Sequence, residues 1–344
     1  MQTVAESQFA AALQAAEDPQ ASAEERAEML MEIAMSLQLK PKSPQQLHDA
    51  VTLYGRALEQ HPSPLLAARI RSRLGTALQC IPDGGGNALK QACQCYESAM
   101  PELAANGKPE EAAESQMNLG LALQGLAGMG LGRIQDAIQC YHRALRVFSR
   151  ETHPQEFAIL HNNLAIAYLA IPAVDERARM REALAVQSFE EVLKVVTLID
   201  HPSEYAMIQN NLGNALQYAA SGHSLENNLR ALTAYEEALK VRNPRDTPVE
   251  YANTIANMAN VLRNLPPGES VSDRIEPVTR AAQLYQEAYT LFEQHGLAER
   301  AELMTAALEE IGSSASGARV APGTPDASGA FGQERIARRN GGAA

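Results

Sequence analysis

The chain has 344 residues, 45% of them apolar and 5% aromatic, with no Trp and a net charge of −12. That charge disfavours a nucleic-acid backbone or an anionic membrane surface as partner, because both are held by clusters of Lys and Arg. No run of about 18 apolar residues occurs, the first twenty residues lack the basic and apolar regions of a signal peptide, and four Cys make no disulfide framework.

Ala, Leu, Glu and Gln abound while Val/Ile/Thr-rich runs are missing, so the chain reads as all-α, cytoplasmic and free of cofactors. Residues 1–22 are expected to form an N-terminal capping helix or a flexible segment. From residue 23 the sequence repeats itself. A Leu-small pair recurs as Leu74-Gly75, Leu119-Gly120, Leu164-Ala165, Leu212-Gly213 and Met258-Ala259, and more weakly as Ile33-Ala34. The second member recurs at spacings of 41, 45, 45, 48 and 46. A second pattern, Ala-x3-aromatic-x2-small-large, follows each pair. Its aromatics are Tyr54, Tyr96, Tyr141, Phe189, Tyr235 and Tyr285.

Both patterns have helical spacing, so each unit is a helix A, a connection and a helix B. The small residue lets helix B approach and the aromatic fills the gap. "HPQE" (153–156), "HPSE" (201–204), "TPVE" (247–250) and the weaker "KPEE" (108–111) put Pro at the first helical position and Glu two residues later. Both suit a helix start. His153 and His201 are expected as caps. The extra length of these repeats is expected partly in the connections "IPDGGGN", "AIPAVDERARMRE", "AASGHSLENN" and "NLPPGESVSDRIEP". Gly296 should stop the last helix B, 297–311 should cap the array with a polar face, and 312–344, rich in Gly, Ala, Ser, Pro and Arg, reads as a disordered tail.

The two motifs in step resemble the tetratricopeptide repeat (TPR) family. "HPQEFAILHNNLAIAYL" is similar to the long repeats of kinesin light chain, and "HPSEYAMIQNNLGNAL" to long bacterial repeats of cyanobacteria and proteobacteria. The resemblance spans roughly residues 24–311. It implies a right-handed α-solenoid of about six long helix pairs over 23–296, with helices A lining a concave groove that binds protein.

In that geometry the residue before the Leu points inward. Here it is Asn118, Asn163, Asn211 and Asn257, a row of amides able to pair with a peptide backbone. Asn214, Asn260, Gln124, Gln217, Arg73 and Arg263 accompany it in the candidate groove, as does Gln79. The same row could instead bridge neighbouring repeats, and both readings stand at this point. Arg69, Arg71, Arg73 and Arg263 could form a carboxylate clamp or surface ion pairs. Cys93, Cys95 and Cys140 lack ligand spacing and read as packing residues, and "DGGGN" (83–87) reads as a turn rather than a phosphate loop. No catalytic constellation emerges. The expected function is a non-enzymatic scaffold or adaptor binding an extended or helical protein segment, with possible self-association. Alternatives are a chaperone-like assembly factor or a peptide-sensing regulator.

Overall fold

A computed structural model describes residues 20–82, 84–171, 177–218, 224–265 and 271–315. Residues 1–19 of the expected segment 1–22 and 316–344 of the expected tail 312–344 lie outside these residues, while 312–315 belong to the last helix. Every regular element described is a helix: α1 Ala23–Leu39, α2 Pro44–Glu59, α3 Pro64–Cys80, α4 Gly85–Asn106, α5 Pro109–Gly128, α6 Ile134–Ala144, α7 Pro154–Leu169, α8 Ala178–Val192, α9 Pro202–Tyr218, α10 Ser224–Leu239, α11 Pro248–Arg263, α12 Val271–Gln294 and α13 Ala298–Ala315. The fold is all-α and built of helix pairs: α1/α2, α3/α4, α5/α6, α7/α8, α9/α10 and α11/α12, followed by α13.

Helices A begin where the sequence signals them. α5, α7, α9 and α11 start on Pro109, Pro154, Pro202 and Pro248, and α3 starts on Pro64 in the same way. Proline sits at the first helical position because its missing N–H would have no partner there. Around α5 the Glu111 carboxylate accepts the Lys108 N–H at 2.8 Å, which occupies an otherwise open donor of the first turn. The His153 and His201 carbonyls accept from Phe157 and Tyr205, so both histidines occupy the capping position through their backbone. The His153 ring packs edge-on against Phe148.

The connections are shorter than the sequence suggested. α4, α8 and α10 begin about two turns ahead of their motif alanines, Ala92, Ala185 and Ala231, so residues read as loop are helical. Gly85, Gly86 and Asn87 lie inside α4, and Pro277 lies inside α12. Pro101 also falls within α4 without ending it. Beyond it Leu103 is buried beside Ala68 and Ala99, and that packing offsets the lost backbone hydrogen bond. Gly296 stops α12 as expected. It has φ +70°, and the next N–H, of Leu297, returns to the Phe292 carbonyl at 2.9 Å.

The chain divides into two compact units, one ending at Asn163 and the other starting at Leu164, so the division falls inside α7. In the first unit, α1 packs on α3 and α3 on α5, forming a layer of helices A, and each also packs on the helices B beside it in sequence. In the second unit α9 packs on α11 in the same way, and α13 closes against α12. α13 buries Ala301 and Met304 there, while Glu299, Glu302 and Glu309 stay exposed. It is the polar-faced cap expected, ending four residues later than read.

Within each pair the aromatic of helix B is fully buried: Tyr54, Tyr96, Tyr141, Phe189, Tyr235 and Tyr285. The small residue of helix A exists for that ring. A Cβ built on Gly75, Gly120 or Gly213 would stand 2.8, 2.5 and 2.5 Å from Tyr96, Tyr141 and Tyr235. No real side-chain carbon tolerates such an approach, so the absent Cβ is what lets the two helices close.

A buried phenol also needs a hydrogen-bond partner. Tyr54 donates to Gln38 (2.8 Å), Tyr96 to Gln79 (3.2 Å), Tyr141 to Gln124 (2.6 Å), Tyr235 to Asn214 and Gln217 (2.8 and 3.2 Å) and Tyr285 to Asn260 (2.6 Å). The glutamine lies four residues after the small residue of helix A. In the fourth pair helix B carries Phe189, which has no hydroxyl, and the equivalent position of helix A is Leu169. The residue at that position changes from amide to alkyl in the pair whose aromatic has nothing to donate.

Candidate functional site

The expectation that the amide row lines an open groove is corrected. Asn118, Asn163, Asn211 and Asn257 are 2, 3, 1 and 1% exposed. In the first unit Asn118 faces the neighbouring helix A. Asn118 on α5 donates to Thr76 on α3 (3.4 Å), the Asn118 carbonyl accepts from Gln79 (2.7 Å), and Ser72 meets Ser115 (2.7 Å) one turn away. In the second unit Asn257 on α11 approaches Asn210 on α9 (3.5 Å). Asn118 and Asn257 thus bond between neighbouring repeats, in line with the second of the two readings left open by the sequence, while Asn163 and Asn211 are buried. The physical cause is small residues. Ala-rich helices A come close, and a polar pair at the contact bonds across it where a larger apolar side chain would not fit.

The accompanying residues divide. Asn214, Gln124, Gln217 and Asn260 accept the phenol hydrogen bonds described above, so their amide oxygens are committed to helix B. Asn214 and Gln124 are buried, and Asn260 and Gln217 half-buried. Arg263 is paired with Glu310 of α13 at 2.7 Å, and Arg69 with Glu111 at 2.8 Å. Both arginines are therefore surface ion pairs rather than a carboxylate clamp. The Glu111 carboxyl is pushed up by partial burial, but the Arg69 guanidinium and the Lys108 N–H outweigh this and leave it below its ordinary value. Arg73 alone of the ten candidates is exposed.

Arg73 occupies the same repeat position as the asparagine row, and so does Glu32 in the first repeat. Both are exposed. Around them the uncovered face of the first unit's helices A is charged: Glu25, Glu28 and Glu32 on α1, Arg73 on α3, Glu110 and Glu114 on α5, all exposed. This surface remains open to a partner. Of these residues only Arg73 stands among the groove candidates expected from sequence; Glu28, Glu32 and Glu114 do not. The signal for Glu32 and Arg73 was a charge at a row position that elsewhere holds an amide.

The cysteines behave as packing residues. Cys93 and Cys140 are buried in one apolar cluster with Ala92, Tyr96 and Leu119, and burial first of all pushes both thiols up to about 11. They stay protonated, hence poorly nucleophilic, at neutral pH. A residue not singled out from sequence is Arg242, which is buried at the end of the fifth pair and donates to Thr254 (2.9 Å) and the Glu250 carbonyl (3.3 Å) in α11. No helix among the described residues is long and apolar enough to cross a membrane.

No protein-family model and no curated protein matches the chain. Among solved structures, BtubC (BKLC) from P. vanneervenii aligns with 17% identity and a TM-score of 0.34, covering 94% of this chain and 97% of that one. The TPR2AB domain of yeast Sti1, in its pHSP90 complex, aligns with 15% identity and a TM-score of 0.30, covering 83% and 98%.

Proposed function

We propose that the chain is a protein-binding scaffold, not an enzyme, and that it holds a partner segment on the uncovered face of α1, α3 and α5. The observation that carries this reading is the switch at the row position. Where the position is buried it holds Asn, which at Asn118 and Asn257 bonds between repeats. Where it is exposed it holds Glu32 and Arg73, whose side chains have no hydrogen bond or ion pair among the described residues. A surface of helices presenting ordered charges binds an extended or helical segment by complementary charge and shape, with no covalent chemistry. The excess of carboxylates over the single open arginine selects a segment of net positive charge.

The test is capture of partners from native lysate with the wild type and with a Glu28→Lys/Glu32→Lys/Arg73→Glu variant. All three changes are at exposed positions, so circular dichroism should show both proteins equally folded. A partner enriched by the wild type and lost with the variant supports the face. Identical capture by both would place binding elsewhere and sink this reading.

A further inference from the structure

We draw no further inference here: the strongest candidate, the surface patch of exposed apolar side chains at the starts of α8 and α10 (Met180, Leu225 and Leu229), is an unpartnered face, and nothing in the structure shows what covers it.

Discussion

The first two repeats and the last four use the same row position in opposite ways. Glu32 and Arg73 are exposed and charged, whereas Asn118, Asn163, Asn211 and Asn257 are buried and neutral. A position repeated in sequence is thus not repeated in environment. What decides its chemistry is whether the neighbouring repeat covers it. Burying a charge without a paired partner costs far more than burying an amide, so the covered copies hold Asn and the open copies are free to hold charge.

The sharpest way to break this comparison is to move a charge into the covered set. Asn211→Lys should destabilise by about 3 kcal/mol or more, with the midpoint of urea unfolding falling accordingly, because its ammonium has no water to face. The helix contact comes next. Gly213→Ala should cost about 1–3 kcal/mol, since its Cβ meets the Tyr235 ring and the packed core must shift. The same substitution is already present as Ala165 beside the fourth pair, so changing Ala165 to Gly should not bring a comparable gain.

The phenol bonds sharpen the comparison further. Tyr141→Phe should cost about 1–2 kcal/mol by leaving the Gln124 oxygen without its donor, and adding Gln124→Leu should return part of that loss. A double-mutant cycle showing strict additivity would sink the pairing of Tyr with amide and Phe with Leu. A smaller effect is expected from Glu111. Its carboxyl lies below its ordinary value when folded, so its stabilisation is present above the unfolded value of about 4.3 and fades as the pH falls below that through the folded value. The pair with Arg69 is partly exposed, so Arg69→Ala should cost under about 1 kcal/mol and flatten that acid limb of the unfolding midpoint. Least of all, Arg73→Asn should change stability by no more than about 0.5 kcal/mol, in contrast to any change at Asn118.

How much was legible follows from these residues. The helix pairs were legible because the Leu-small and Ala-x3-aromatic motifs carry both the period and the reason for it. Helix starts were legible where Pro and Glu mark them, but the starts of α4, α8 and α10 were not. Glycines and polar residues read as loop, yet packing extended the helices through them. The phenol-to-amide bonds were written in the sequence as Gln38, Gln79, Gln124 and Gln217 at one repeat position with Leu169 opposite Phe189. They become readable only once the two helices are known to face each other.

The sequence by itself determined the all-α class, six helix pairs, the closing cap after Gly296 and the residues that make each pair close. These are local properties, set by periodicity and by the size of side chains within one unit. The tertiary structure alone decided which face of each helix A meets its neighbour. The residue before the Leu is a few tens of degrees from both the open face and the covered one, and no spacing within a single repeat distinguishes them. That choice buried an expected row of ligand contacts, with Asn118 and Asn257 bonding between repeats, and left a charged face of the first unit exposed.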